Sequence, residues 1–435
     1  MFAKAHKIEF FRQSGWMMIA TTLGGFFMYA VHTPASRMPE SEYGVFTTLL
    51  QMMNLMLIPS LGLQTVFAQQ AAAACSPQQE RRLAYVVRGA LALVSLLWLI
   101  MVVVVFLCRA QVLTKYQIIN PLSLWLTVAV GLAMLWAPIL QGVMQGRQNF
   151  LWLGWAQVLN GCARFSGVLL LVGLLASDSS GAMLASLVGY GLAVGVAAWQ
   201  SRMVWLAPGE PIVWGEWLGR VIPLTLGLGA SQFMVAADQL LVQSIFDRNV
   251  TGIYGAAGTI GRALIVFTGP MMAVMFPKIV ASAARSQRTN VLAQALGATA
   301  LCGGAAALAC TFFPELPLHI IYHNEKYWAI APLVPWFAWS MLPLTMANVL
   351  VGNLLARGRF QAVPWLVLVA IGYGAALHFR APAIKHAEQF EAFTMVVRTL
   401  GVFSLLLLSV AAWFTWHQPS QPAAPSAQGQ NDREL

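Results

Sequence analysis

Residues 43–59, YGVFTTLLQMMNLMLIP, and residues 254–270, YGAAGTIGRALIVFTGP, carry the same landmarks at the same spacing. Each opens on Tyr-Gly and reaches a proline sixteen residues later, at Pro59 and Pro270. The two stretches are offset by 211 residues. A second pair, Gly146-Arg147 with Phe150 and Gly358-Arg359 with Phe360, repeats at an offset of 212. Landmarks a hundred residues apart that keep nearly one offset predict two halves of similar topology, a common plan among secondary transporters.

Both stretches lie in long apolar runs, and composition explains why. Of 435 residues, 59% are hydrophobic and 9% charged, with a mean hydropathy of +0.69. A soluble domain carries about 25% charge. So few charges cannot cover a water-facing surface of this size, so the chain is read as a multi-span membrane protein. The 16 Trp and 9 Tyr suit interfacial belts, and the 36 Gly suit close helix packing in lipid. Cys75, Cys108, Cys162, Cys302 and Cys310 show no paired spacing, which argues against a disulfide framework or a zinc site. The net charge of +10 reads as loop Lys and Arg facing anionic headgroups rather than as a nucleic-acid surface. No phosphate-binding glycine loop, nucleophile elbow or metal motif is present, and no cofactor is expected.

Apolar runs of sufficient length predict twelve helices near 14–33, 43–74, 88–107, 122–145, 150–176, 182–204, 218–246, 251–281, 291–312, 328–356, 362–378 and 394–416. The expected organisation is a short N-terminal segment 1–13, a first lobe 14–204, a linker 205–217 containing Pro208, Gly209 and Pro211, a second lobe 218–416, and a Pro/Ser/Gln/Ala-rich tail 417–435. The N-terminal run is expected to be the first span rather than a cleaved signal. With the N-terminus cytoplasmic, the outer segments hold seven basic residues, Arg37, Arg109, Lys115, Arg248, Lys326, Arg380 and Lys385, and the inner ones hold fifteen. That bias predicts both termini inside.

Four charges fall well within the predicted spans: Arg164, Asp238, Arg262 and Arg398. A charge at the bilayer centre costs about 3 to more than 10 kcal/mol, so these side chains are expected to face protein or a wet cavity. Three cations against one anion favour an anionic substrate such as a diphosphate, which a guanidinium grips with two bonds. Arg164, near the middle of the fifth span, is the leading candidate. Asp238 and Arg262 sit on helices joined by a short loop, and two readings stand: a structural ion pair, or a substrate- or ion-coupling site. Arg398 lies near a helix end, where a long side chain can instead snorkel outward. Asn160 shares a face with Arg164, with Gln157 beside them and Gln141 on the fourth span. Such amides can bind sugar hydroxyls or hold helices together. His319, His323, His378 and His386 fall in or beside the short outer loops and read as interfacial rather than catalytic.

The segment Arg37-Met38-Pro39-Glu40-Ser41-Glu42-Tyr43-Gly44-Val45-Phe46 resembles the entry to the second helix of Wzx-type polysaccharide flippases, members of the multidrug/oligosaccharidyl-lipid/polysaccharide (MOP) superfamily. Asp238-Gln239-Leu240-Leu241 followed by Thr251-Gly252-Ile253-Tyr254-Gly255 is similar to a passage in that family's second half. Phe276-Pro277-Lys278, Gln141-Gly142 and Gln145-Gly146-Arg147 fit its helix ends. The resemblance covers roughly residues 10–416. It implies an all-α fold of two pseudo-symmetric six-helix bundles around a central cavity, working by alternating access in a bacterial inner membrane. The implied partner is an undecaprenyl-diphosphate-linked oligosaccharide, with membrane lipids, and a glycan polymerase or glycosyltransferases as neighbours; the chain itself is expected not to be an enzyme. Three other readings stay open: a cation or drug antiporter of the same superfamily, a lipid II flippase, and a membrane-embedded glycan polymerase or ligase. The antiporter needs buried carboxylates, and the first half has none within a span.

Overall fold

The computed structural model describes residues 16–17, 19–58, 61–74, 76–212, 214–247, 249–263, 291–322 and 324–417. Among these the chain is nearly all helical and has no strand. The first lobe contains α1 (19–30), α2 (Glu40–Met56), α3 (Leu61–Ala73), α4 (Pro77–Leu107), α5 (Pro121–Gly146), α6 (Phe150–Val168) and α7 (Ser179–Trp205). The second contains α8 (Trp214–Ile245), α9 (249–263), α10 (Val291–Phe312), α11 (Val334–Ala356), α12 (Val363–His386) and α13 (Gln389–Trp416).

Among the described residues, nine helices are long and apolar enough to cross a bilayer. The other three expected spans are accounted for. The first is described only from residue 16. The second is described as two helices, α2 and α3, with residues 59 and 60 between them outside the described residues. The eighth is described only to residue 263, and Pro270, Pro277 and Lys278 lie outside the described residues. Along α4, Leu96, Ile100, Val103 and Leu107 are all exposed, an apolar strip that lipid covers.

Helix ends follow local chemistry. Ser76 starts α4 in a capping box with Gln79, and Pro77 takes the first turn, where its missing N–H costs nothing. Asn120 caps α5 and Asp178 caps α7. Pro364 likewise begins α12, whereas Pro138, Pro223 and Pro343 lie inside helices.

The two lobes repeat their packing. In the first, α1 meets α6, α4 meets α5, α5 meets α7, and α6 meets α7. In the second, α8 meets α12, α10 meets α11, α11 meets α13, and α12 meets α13. The turns after α5 and α11 carry the same pair of closing bonds. Gln148 N–H donates to Gln145 O and Asn149 N–H to Met144 O; Gly358 N–H donates to Leu355 O and Arg359 N–H to Leu354 O. Both turns place one residue in the left-handed region, Gln148 at φ 58° and Gly358 at φ 68°. The structural counterpart of Gly358 is therefore Gln148, 210 residues earlier, and not Gly146. Gly146 serves packing instead: a Cβ there would run into Ala68 O of α3.

The lobes meet along α8, which lies against α2 and α3. Near the start of α2 the seam is polar. Gln239 donates to Thr47, Thr48 to Gln243, and Gln117 to Phe246 O at 2.7 Å.

Candidate functional site

The buried ionisable groups lie on α6 in the first lobe and on α8 and α9 in the second. Asp238 comes from α8 and is fully buried. Arg262 comes from α9, four turns on from its start, and its Nη2 donates to both Asp238 oxygens at 2.8 and 2.7 Å. Its Nε donates to Val235 O at 3.0 Å, and Tyr254 Oη donates to Asp238 at 2.8 Å. The short connection between α8 and α9 makes this geometry possible. A carboxylate that accepts from a guanidinium and a phenol is satisfied, and so is most of the cation.

Arg164 is different. It sits on α6, only 3% exposed. Its Nη1 lies 3.3 Å from Met28 Sδ of α1, a weak acceptor, and its Nε has no partner. Among the described residues no carboxylate pairs with it. One turn earlier on the same face, Asn160 Oδ1 is also unpartnered. Gly189 of α7 makes room for both, since a Cβ there would lie 2.9 Å from Asn160 Oδ1 and 3.3 Å from Arg164 Cβ. Tyr190 of α7 lies beside the guanidinium. Five residues past Arg164 the helix widens into a π-helical turn, Leu169–Leu174, a feature that often marks functional segments.

The remaining sequence candidates separate from these groups. Gln157 is half-buried on α6, with its carbonyl against Gly24 of α1. Gln141 is half-buried on α5, and Gln145, one turn on, accepts from Gln64. Arg398 is exposed on α13, with its guanidinium carbon 4.5 Å from the ring centroid of Trp336, the geometry of a cation resting on an interfacial aromatic. His319, exposed, stacks edge-on against Trp328.

Sequence reasoning did not single out His32, Tyr43 and Tyr322. His32 Nδ1 lies 2.9 Å from Tyr43 Oη, which lies 2.6 Å from Tyr322 Oη. All three are buried, and the chain of bonds crosses from the first lobe to the second. His32 also lies within electrostatic range of both Arg164 and Arg262. The repeated Tyr43/Tyr254 landmark was the available signal: both tyrosines are fully buried and both hydroxyls bond to a polar partner.

No family model matches the sequence, and no curated protein matches it. Solved structures do. An inward-facing multidrug-resistance MATE transporter of the MOP superfamily superposes with a TM-score of 0.73 at 11% identity, over 91% of this chain and 94% of that one. An outward-facing MATE transporter of the same superfamily gives 0.67 at 13% identity, over 93% and 94%. A MOP superfamily transporter from Pyrococcus furiosus Vc1 (DSM3638), described as having a binding pocket of reverse polarity, gives 0.65 at 12% identity, over 93% and 94%. With two lobes that repeat one packing scheme among the described residues, this multi-pass membrane chain has the fold of the MATE transporters of the MOP superfamily.

Proposed function

We propose that the chain is a flippase that moves a lipid-linked oligosaccharide, anchored through a diphosphate of the undecaprenyl type, across a bacterial inner membrane by alternating access. In this reading both termini are cytoplasmic, glycosyltransferases supply the substrate and a glycan polymerase consumes it. The observation that carries the proposal is Arg164: a guanidinium 3% exposed, inside a membrane protein, with no carboxylate partner among the described residues and an unpartnered Nε. An unbalanced buried cation is costly, and an anion completes it. The diphosphate takes the free Arg164 donors, and the Asn160 carboxamide meets a neighbouring sugar hydroxyl. Arg262, held by Asp238, lends positive potential from the facing lobe.

The MATE fold alone is also compatible with export of cations or drugs. Such export asks for a buried carboxylate free to bind a cation. Among the described residues the fully buried carboxylate is Asp238, and it already accepts from Arg262 and Tyr254. The matched Pyrococcus furiosus transporter, described as having a binding pocket of reverse polarity, supports the view that pocket charge varies on this fold.

The test is reconstitution in liposomes with a fluorescent polyprenyl-diphosphate oligosaccharide. Protein-dependent movement of label between leaflets, lost in Arg164→Gln while folded protein is retained, is the expected result. Unimpaired movement in that variant, or proton-driven efflux of a cationic dye in place of lipid movement, overturns the proposal.

A further inference from the structure

The α4–α5 and α10–α11 connections share a motif. Lys115-Tyr116 and Lys326-Tyr327 stand 211 residues apart, the offset that also separates Tyr43 from Tyr254. Each connection opens with a short helix, Arg109–Lys115 in the first lobe and Leu316–Ile321 in the second. Both then cross the seam, in opposite directions. From the first lobe, Tyr116 O accepts from Gln243 Nε2 at 2.9 Å and Gln117 Nε2 donates to Phe246 O at 2.7 Å, so this arm grips the end of α8. From the second lobe, Tyr322 Oη lies 2.6 Å from Tyr43 Oη, Lys326 Nζ lies 3.1 Å from Glu40 Oε1, and the Tyr327 ring meets Tyr43 edge to face at 5.5 Å. That arm grips the start of α2. A Cβ on Gly252 of α9 would collide with Glu40 O, so α9 begins against α2 and both grips share one end of the molecule.

The grips are made of parts that separate readily. Gln117 sits in the left-handed region, at φ 54°, where a turn closing a short helix favours glycine. Glycine would satisfy that turn, but only the glutamine amide reaches Phe246 O. In the second arm, the lysine side chain of the Lys326–Glu40 pair is 69% exposed, and an ion pair so open to water contributes little. Tyr327 Oη is buried and has no partner among the described residues, so withdrawal from its seat gains that hydroxyl a bond to water. A left-handed side-chain residue and an unsatisfied hydroxyl suit a joint that is made and broken.

We propose that the two connections are paired latches, repeated with the lobes and reaching across in opposite directions, which hold this end of the molecule closed and must both release before it opens. Each lobe lends the other one arm, so neither lobe parts here while either arm is engaged. The proposal rests on the alternating-access part of the reading above and not on the cargo. Its test therefore uses no lipid-linked substrate, and loss of the flippase reading would leave it standing.

The probe is a pair of spin labels, on Leu122→Cys of α5 and Phe390→Cys of α13, in the full chain with its five native cysteines replaced by serine. Both positions are exposed, one on each lobe, where α5 leaves the first latch and where α13 starts near Phe246. Double electron–electron resonance in lipid nanodiscs reads the separation of the lobes at this end. A short distance is expected to dominate, with a minor longer one. Tyr322→Phe keeps the ring and removes the hydroxyl bond; Gln117→Gly keeps the turn and removes the amide. Each is expected to raise the ratio of long to short distances about fivefold, the worth of one hydrogen bond, and the double variant about twenty-five-fold. If Gln117 only shaped a turn, Gln117→Gly would raise the melting temperature and leave the ratio unchanged, and that result overturns the proposal. A change in one single variant without the other also overturns it, because the latches would not be a pair.

Discussion

The hydroxyls of Tyr43 and Tyr322 lie 2.6 Å apart and tie the first lobe to the second. The rings meet edge to face, with centroids 5.7 Å apart, and His32 extends the chain into the end of α1. Removing either hydroxyl leaves its partner buried without that bond, at a cost of about 1–3 kcal/mol. Tyr43→Phe and Tyr322→Phe are each expected to lower the melting temperature in detergent and to raise labelling of a cysteine placed at this end of the seam. The double variant is expected to lose less than the sum of the two. Additive losses would show that the hydroxyls do not act as a pair.

Asp238 and Arg262 form the one buried ion pair among the described residues. Breaking it from one side strands a charge, which costs about 3–5 kcal/mol. Asp238→Asn alone, or Arg262→Gln alone, should therefore sharply reduce the yield of folded protein. Asp238→Asn with Arg262→Gln removes both charges and should recover most of the yield. Size-exclusion profiles of the three variants check this; equal yields in all three would mean that the pair contributes little.

Arg164 makes the opposite prediction for stability. It has no carboxylate to strand, so Arg164→Gln should melt at or above the wild-type temperature while lipid-linked sugar movement stops. A large fall in melting temperature would make Arg164 a structural bridge.

The turns after α5 and α11 predict a matched pair of substitutions. Gln148→Gly relieves a left-handed side-chain conformation and should stabilise by about 0.5–1 kcal/mol. Gly358→Ala imposes that strain and should destabilise by about 1 kcal/mol. Thermal shifts of opposite sign are expected.

Asp178, outside the spans, caps α7 and accepts from Ser180 N–H at 2.9 Å and Asn120 Nδ2 at 2.8 Å. Partial burial opposes ionisation, but the bonds from Ser180 and Asn120 outweigh it and hold the carboxyl below the usual aspartate range. A carboxyl depressed in the folded state adds stability above its unfolded value, near pH 4, and loses it as pH falls through the folded value. Asp178→Ala should cost about 1 kcal/mol at neutral pH, the worth of a helix cap, and much less under strong acid. Melting temperatures measured across that range check the sign.

The membrane-spanning plan was legible because burial in lipid demands long apolar runs, and those runs are written directly in the residue types. The doubling was legible at Tyr43 and Tyr254, where both tyrosines fill buried positions. It misled at Gly146 and Gly358, because a left-handed residue defines that turn and the first lobe puts Gln148 there. Depth along a helix was also readable, while direction around it was not. That is why Arg164 and Arg398, both placed inside spans, end respectively in the protein and over Trp336 at the surface. In the sequence His32 is only a lone polar residue at the end of an apolar run. Its role depends on Tyr322, nearly three hundred residues away, and no local pattern encodes that meeting.

The pair of phenols has a consequence for which way the seam can part. Two hydroxyls that satisfy each other are cheap to separate in an aqueous crevice, where solvent replaces each bond at once. Parted among acyl tails they would find nothing, at several kcal/mol apiece. The bond between the two hydroxyls thus weighs against parting this seam where only acyl tails could enter, and much less against parting it where water could.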